Sequence, residues 1–265
     1  MTERQPRLPP GYRLLCYDSI GSTNDEAKRL ARDGAAEGTL VWALEQTAGR
    51  GRRGRSWVSP RGNLYVSLIL RPDCPLRSAV QLGFVAALAV GGALQALLRR
   101  VERLRYKWPN DVLLDGRKIA GVLLESESVG PENPTFVIVG VGVNLTASPR
   151  ATEFPATSVR EEGWGLVLPE TMLAGFAHQF QSWRANWRAE GFMPVRAAWL
   201  AAAATARDEP IRVRLDDVDI CGRFLDIDHE GNLLIDCLGE RRQIAAGEVS
   251  ALREGRLDAP RDQRQ

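Results

Sequence analysis

The chain has 265 residues, of which 44% are hydrophobic and 26% are charged, as is ordinary for a globular protein. Its net charge of +2 is too small for nonspecific nucleic-acid binding by the whole surface. We expect no apolar run long enough to span a bilayer, and the polar, proline-rich start lacks the apolar core of a signal peptide. These features predict a cytoplasmic protein whose four cysteines are reduced and buried rather than bound to metal.

The periodicity of apolar residues predicts mixed strands and helices after a short flexible arm. A helix is predicted to begin at Ser22 or Thr23, since either side chain can cap a first turn that is followed by acidic residues. Asp115-Gly116 between two apolar runs predicts a hairpin turn. Strands are predicted over 14–17, 40–44, 64–70, 104–108, 112–114, 119–124 and 136–145, and helices over 78–98, 170–188 and 194–204.

A change of composition near residues 207–210 predicts a domain boundary. The short apolar runs beyond it, at 211–215, 218–227, 233–237 and 242–252, predict a small all-β meander closed into a barrel. The fold class is therefore α+β, with a mixed β-sheet catalytic domain flanked by helices and a small C-terminal barrel-like domain. The predicted division is an arm over 1–11, the catalytic domain over 12–206, the small domain over 207–254 and a flexible tail over 255–265.

The most informative segment is a run of four arginines and three glycines closed by Trp57, which we call the arginine loop (residues 49–57). Glycine lets backbone N–H groups approach a ligand, and arginine offers planar donors to phosphate or carboxylate. The loop matches neither a Walker motif nor a dinucleotide fingerprint. A solvated basic loop or a nucleic-acid contact is the alternative to a fold over a small anion.

The segment Lys107-Trp108-Pro109-Asn110-Asp111 places a cation, an amide and a carboxylate close together. Asp111 could hold a magnesium ion or orient a lysine. Taken alone, the segment is more typical of an ordinary turn.

The strand over 136–145 has one valine face and one face of glycines that ends at Asn144. Glycine inside a strand often marks the close approach of a ligand, although packing of a helix is a competing interpretation. Ser22-Thr23-Asn24 also has two interpretations: it caps a helix, or it offers donors to a small polar ligand.

The order and spacing of these motifs, together with Arg117-Lys118-Ile119-Ala120-Gly121 and Val141-Gly142-Val143-Asn144, resemble the biotin–protein ligases, the biotin–[acetyl-CoA-carboxylase] ligases of bacteria. The resemblance covers about residues 12–254. Few residues precede Ser22, so the chain resembles the monofunctional class, which lacks an N-terminal helix-turn-helix domain. We therefore expect no DNA binding.

The resemblance implies ATP-dependent formation of biotinyl-5′-AMP, then transfer of biotin to a lysine of a biotin carboxyl carrier protein. It also implies Mg²⁺ and no membrane partner. The sequence does not fix the oligomeric state, and a homodimer is one option. Implied catalytic residues are Lys118, Asp111 and Arg52. Implied biotin contacts are Ser22, Thr23, Asn24, Gln46, Gly49, Arg50, Gly51, Arg52, Trp57, Lys118 and Gly121. Implied ATP contacts are Arg52, Arg55, Trp57, Lys118, Asn110 and Asn144, with Asn144 also as a metal contact.

Two other functions stay open at this point. A lipoate–protein ligase shares the fold and the adenylation chemistry, and a nucleic-acid-binding module would use Arg50 to Arg55 with a steep dependence on salt. For the ligase, the glycines of the arginine loop predict a flap that becomes ordered when biotin binds. On strand parity, Lys118 and Gly121 face opposite sides, so both line one site only if Gly121 acts through its backbone or near a bulge.

Overall fold

The computed structural model describes residues 6–98, 103–128, 134–150, 152, 154–215 and 218–251. Predictions for residues 1–5 of the arm and for the tail over 255–265 lie outside the described residues. The elements are β1 (Arg13–Tyr17), α1 (Thr23–Arg32), β2 (Thr39–Ala43), β3 (Leu64–Leu70), α2 (Leu76–Ala79), α3 (Leu82–Leu98), β4 (Leu104–Lys107), β5 (Asp111–Leu114), β6 (Arg117–Ser128), β7 (Pro134–Val143), α4 (Pro169–Glu190), α5 (Phe192–Ala201), β8 (Pro210–Arg214), β9 (Asp219–Ile227), β10 (Leu233–Cys237), β11 (Glu240–Ile244) and β12 (Glu248–Ala251).

A seven-stranded sheet with the order β1-β2-β3-β7-β6-β5-β4 organises the main domain. Only β1 and β2 run parallel, so the sheet is mixed, as the sequence predicted. The valine face of β7 packs into the large core with α3, α4 and α5. Ile138, on the opposite face, packs with Ala27 and Ala31 of α1. The sheet thus has helices on both faces, and this arrangement confirms the α+β fold class.

The C-terminal strands form a five-stranded antiparallel sheet with the order β11-β10-β9-β8-β12. Within the described residues β11 and β12 are not paired with each other, so hydrogen bonds do not close the predicted barrel there. This sheet docks on the main domain through the β9–β10 turn. Its Gly231 carbonyl accepts a hydrogen bond from Trp108 Nε1 at 3.0 Å, and its His229 carbonyl accepts one from Gln81 Nε2 at 2.9 Å.

Several predicted boundaries were wrong for identifiable reasons. The strand predicted over 242–252 is two strands, because β11 pairs with β10 while β12 crosses to β8. The helix predicted over 78–98 is interrupted at Val80 and Gln81, where the Gln81 amide is engaged by Trp187 as well as by the β9–β10 turn. Strand β6 continues to Ser128 because its polar end still pairs with β7. Ser22 occupies the N-cap of α1 but makes no side-chain capping hydrogen bond.

The predictions about the arm and about apolar length also need correction. Leu8 packs against the core, Pro9 is buried and the Pro10 carbonyl accepts a hydrogen bond from Gln181, so this part of the arm is packed rather than loose. Leu76–Leu98 is long and apolar enough to cross a membrane by length and composition. However, 72% of its most apolar window is buried inside the protein, which is typical of a core helix.

Candidate active site

One cavity of about 270 Å³ lies where the arginine loop, the start of α1, strands β5 to β7 and the C-terminal sheet meet. Its size is near the lower end of the roughly 300–1,000 Å³ common for small-molecule sites. The cavity brings together every predicted site residue except Gly49. Those that line it are Ser22, Thr23, Asn24, Gln46, Arg50, Gly51, Arg52, Arg55, Trp57, Asn110, Asp111, Lys118, Gly121 and Asn144.

A chain of hydrogen bonds fixes the polar side chains at one end of the cavity. The backbone N–H and the hydroxyl of Thr23 both donate to Gln46 Oε1, at 2.8 and 3.0 Å. Gln46 Nε2 donates to Ser59 at 3.0 Å, and the buried Ser67 hydroxyl donates to Asn24 Oδ1 at 2.6 Å. The amides of Gln46 and Asn24 therefore have defined orientations, as recognition of a small polar ring requires. Thr23 serves this network rather than capping the helix.

Glu125, which the sequence did not single out, joins this polar end to the arginine loop. Its carboxylate accepts hydrogen bonds from Asn24 Nδ2 at 2.7 Å and from Lys28 Nζ at 2.9 Å. Burial alone would raise the pKa of Glu125, but these hydrogen bonds outweigh it and hold the pKa below its usual value. Arg50 lies 3.4 Å from the same carboxylate and 2.5 Å from Asp25. The guanidinium of Arg50 is thereby tied to α1 and β6.

The arginine loop is folded as a small hairpin. Gly51 N–H donates to the Arg55 carbonyl at 2.7 Å, and Trp57 N–H donates to the Gly49 carbonyl at 2.9 Å. Arg53 adopts a left-handed conformation with φ of 54° at the tip. Gly49 is buried beneath the hairpin, where a Cβ would lie 2.5 Å from the Trp57 carbonyl oxygen. Gly49 does not line the cavity, because its packing serves the hairpin, and a biotin contact by this residue stays a prediction.

Three arginines of the loop contact the C-terminal sheet, and Arg53 does so through the Arg214 carbonyl at 3.3 Å. Arg52 Nη1 donates to the Gly247 carbonyl at 3.1 Å, and Arg55 Nη1 lies 2.7 Å from Glu248 Oε1. Burial lowers the pKa of Arg52, and the neighbouring charge of Arg53 lowers it further. A partly buried cation on the cavity wall is suited to an anionic group that enters the site.

Lys118 and Asp111 form an ion pair at the other end of the cavity, with 2.6 Å between Nζ and Oδ1. Their side chains are 26% and 13% exposed, so solvent screens the pair only in part. Lys118 Nζ also lies 5.2 Å from the centroid of the Trp57 ring. A cation and a carboxylate are thus held beside an aromatic ring in the lining of the cavity.

A β-bulge explains how Lys118 and Gly121 both line this cavity. The register between β5 and β6 shifts at Val112 and Leu113, so that Leu113 pairs with Lys118 while Val112 pairs with Ala120. The extra residue changes the parity of β6. The expectation of a bulge near Gly121 is confirmed.

The glycine face of β7 makes room for side chains of this site. A Cβ on Gly140 would lie 2.1 Å from Asn24 Oδ1, and one on Gly142 would lie 2.6 Å from Cε2 of the Trp57 ring. Both glycines also border the cavity. The glycines therefore seat two predicted site residues against the sheet. Asn24 of helix α1 packs on Gly140, in agreement with helix packing, while Gly142 receives the Trp57 ring of the arginine loop.

Asn110 and Asn144 hold the edges of the cavity by hydrogen bonds to the backbone. Asn110 Nδ2 donates to the Val122 carbonyl at 2.6 Å, and Val122 N–H donates back to the Asn110 carbonyl at 2.9 Å. Asn144 is 2% exposed and donates through Nδ2 to the Thr157 carbonyl at 3.0 Å. The first asparagine secures the turn between β4 and β5, and the second secures the end of β7.

Thr157 belongs to an irregular segment that the sequence did not mark, which we call the strap (residues 154–162). Lys107 Nζ lies 3.8 Å from the centroid of the Phe154 ring, at the start of the strap. Burial lowers the pKa of Lys107, although Asp111 and Glu248 oppose this shift. Lys107 was within a noted motif but was not predicted as a site residue. The charged side chains that line the cavity are five cations and two carboxylates: Arg50, Arg52, Arg55, Lys107, Lys118, Asp111 and Glu248.

Sequence comparison with known proteins identifies the biotin protein ligase family, the family that the sequence motifs resemble. The model of the biotin/lipoate A/B protein ligase family matches residues 17–144, and the model of the biotin protein ligase C-terminal domain matches residues 208–252. The chain is 46% identical to a biotin–[acetyl-CoA-carboxylase] ligase of Paracoccus denitrificans over 86% of this chain and 96% of that protein. It is 34% identical to the bifunctional ligase/repressor of Bacillus subtilis, over 85% of this chain and 70% of that protein.

Solved structures agree with the sequence comparison. The biotin protein ligase of Aquifex aeolicus in complex with biotin and ATP superposes with a TM-score of 0.77 at 27% identity, over 91% of this chain and 99% of that chain. The Leishmania major biotin protein ligase in complex with biotinyl-5-AMP has a TM-score of 0.62 at 23% identity, over 92% and 99% of the two chains, and is similar in fold.

Proposed function

The chain belongs to the family of biotin protein ligases, and we propose that it attaches biotin to a lysine of a biotin carboxyl carrier protein through biotinyl-5′-AMP. One observation carries the proposal beyond family membership. A single cavity joins an oriented set of amides and hydroxyls, suited to a polar ring, to a cluster of cations suited to a carboxylate and a phosphate. Both substrates of an adenylation can therefore meet in one site.

In the first step the biotin carboxylate attacks the α-phosphorus of ATP and releases pyrophosphate. Two anions about 4 Å apart repel by roughly 4 kcal/mol at an effective dielectric near 20. Lys118 and Arg52 border the same cavity and offset this repulsion, and they also stabilise the charge that develops in the transition state. Arg55 and Lys107 extend the positive surface toward the remaining phosphates.

In the second step the amine of the acceptor lysine attacks the acyl carbon of the mixed anhydride, and AMP leaves. The acceptor amine must be neutral and correctly placed to react. Asp111 lines the cavity and is paired with Lys118, and we assign to it the orientation of the acceptor amine. That the acceptor is a carrier protein is proposed from family membership.

Magnesium is proposed to enter with the phosphates of ATP. Among the residues described, His, Cys, Asp and Glu side chains nowhere converge in a group of three that could hold a metal. Mg²⁺ commonly keeps several waters and binds few protein ligands plus substrate phosphates. Asn144 fits such a role, because its amide nitrogen is used by Thr157 and its oxygen accepts no hydrogen bond in the described part of the chain. The bound ion would neutralise phosphate charge.

A nucleic-acid contact by the arginine loop is disfavoured by the pairing of its charges. Arg50 and Arg55 are matched by carboxylates of the same chain, so they are not free for a row of phosphates. We propose that the loop does not bind DNA, which an absence of binding at low salt would support. A cytoplasmic location is proposed because none of the four cysteines, all within the described residues, forms a disulfide. A homodimer stays a prediction, for which sedimentation is the direct measurement.

The function is tested by incubating the protein with ATP, Mg²⁺ and either biotin or lipoate, and by detecting the acyl adenylate by mass spectrometry. We expect adenylate from biotin and labelling of an added carrier domain at a single lysine. Adenylate from lipoate alone would move the chain to the lipoate branch of the same family model. Adenylate from biotin without transfer to any carrier would leave the first step standing and overturn the second.

A further inference from the structure

The strap holds two predicted site residues, Lys118 of β6 and Asn144, which directly follows β7. Thr157, which is fully buried, donates its N–H to the Lys118 carbonyl at 2.9 Å and accepts from Asn144 Nδ2 at 3.0 Å. The Lys118 N–H in turn donates to the Pro155 carbonyl at 2.8 Å. The backbone of Lys118 and the side chain of Asn144 are therefore fixed by one short irregular segment.

The strap is itself anchored by Glu162, whose side chain is only 4% exposed. Its Oε1 accepts a hydrogen bond from the Thr157 hydroxyl at 2.6 Å and another from Arg117 Nη2. Its Oε2 lies 3.3 Å from Arg103 Nη2, and Arg103 Nε donates to Asp115 at 2.8 Å. Arg117 immediately precedes Lys118, and Asp115 lies in the hairpin turn that presents it. One buried carboxylate thus grips both the strap and the hairpin.

We infer that Glu162 is a positioning residue for adenylate formation, which sets the place of Lys118 and Asn144 through Thr157. The inference rests on the proposed function, since the two residues matter together only where carboxylate and phosphate meet. Glu162 does not belong to the cavity lining. Charge-assisted hydrogen bonds are stronger and more directional than neutral ones, so a carboxylate fixes the strap better than an amide would.

The test compares Glu162→Gln with the control Glu127→Gln. Glu127 lies on β6, as does Lys118, and pairs with Arg32 at 2.6 Å, but it does not touch the strap. Pyrophosphate release measured against both substrates should show kcat for adenylation lowered about 10–100-fold by Glu162→Gln. The KM for biotin should change less than twofold, because the polar amides lie at the other end of the cavity. The control should match wild type.

A second pair of variants separates positioning from stability. Thr157→Ser keeps the hydroxyl that Glu162 accepts, while Thr157→Val removes it at similar volume. We expect Thr157→Ser to restore most of the rate that Thr157→Val loses, when both are measured below their melting temperatures. Equal rates in these two variants would overturn the inference even if Glu162→Gln failed to fold.

The decisive measurement is the same change in a background without the lysine. If Glu162 acts through Lys118, Glu162→Gln should cost at most about threefold in Lys118→Ala, since coupled residues are not additive. Full additivity, or a wild-type rate in Glu162→Gln, would sink the inference. A wild type that makes no biotinyl-5′-AMP would instead remove the proposed function, so the two failures are distinguishable.

Discussion

The arginine loop and the strap border the same cavity, yet they are held in place by different physics. The loop is fastened by charged side chains near the surface, with Arg50 at 36% and Arg55 at 50% exposure. The strap is fastened by backbone hydrogen bonds and by the nearly inaccessible carboxylate of Glu162. Exposed ion pairs are worth roughly 0–1 kcal/mol, whereas buried charges are costly to unpair. We therefore predict that the loop opens more readily than the strap.

The largest effect is expected from Lys118→Ala, which removes the side chain that the strap positions. Adenylate formation in a single turnover should slow about 10²–10³-fold, because a fixed cation at the reacting anions is lost. The melting temperature should change little by comparison. Lys118→Arg keeps the charge but not its compact shape, and it should recover only part of the rate. A wild-type rate in Lys118→Ala would show that the strap does not promote adenylation by positioning Lys118.

Arg52→Ala tests the loop at its most buried cation. Without the charge pair between Arg52 and the bound adenylate, retention of the adenylate should weaken by roughly 2–5 kcal/mol. Arg53→Ala is the matched control, since Arg53 belongs to the same loop but does not line the cavity. The half-life of enzyme-bound adenylate, followed by rapid filtration, measures both variants. Equal half-lives of bound adenylate in wild type and Arg52→Ala would show that Arg52 does not help to retain the adenylate.

The contrast between the two segments also marks what the sequence could predict. The loop was identified because glycine and arginine alternate in an obvious way, and Lys118 and Asn144 because their motifs follow in a fixed order. The mixed sheet followed from apolar periodicity. The strap has no such signal, because Thr157 acts mainly through its backbone and Glu162 pairs with arginines 45 and 59 residues away along the chain.

Other residues were missed for the same reason. Glu125 joins Asn24 to Lys28 and Arg50 across three elements, and no local pattern encodes such a meeting. Gly49 is the reverse case. A glycine in this motif was expected to face the ligand, but in the structure it lies outside the cavity lining and its lack of a side chain is needed for packing within the hairpin. Local sequence gives the residue type, and tertiary packing decides which way it is used.

A smaller effect is expected from breaking the contact between the loop and the C-terminal sheet. Glu248→Gln weakens the pair with Arg55, which should be worth roughly 0.2–1 kcal/mol. Amide exchange in residues 49–57 should therefore quicken several-fold, and added salt should have the same effect in wild type. Biotin should slow exchange there while leaving residues 154–162 unchanged. Equal exchange in the loop with and without biotin would contradict its role as a flap.

The smallest effect concerns Lys107, which rests on Phe154 of the strap, and it appears as a dependence of stability on pH. Burial lowers the pKa of Lys107 below its ordinary value of 10.5, so the unfolded chain binds the proton more tightly than the folded one. Stability should therefore rise with pH between the folded pKa and 10.5, since the unfolded state carries more protons there. Lys107→Met lacks this proton. Relative to Lys107→Met, the wild type should gain free energy of unfolding as pH rises in urea titrations from pH 7 to 10. If the difference in free energy of unfolding between wild type and Lys107→Met stayed constant across that range, folding would not lower the pKa of Lys107. The ammonium beside Phe154 would then be well solvated.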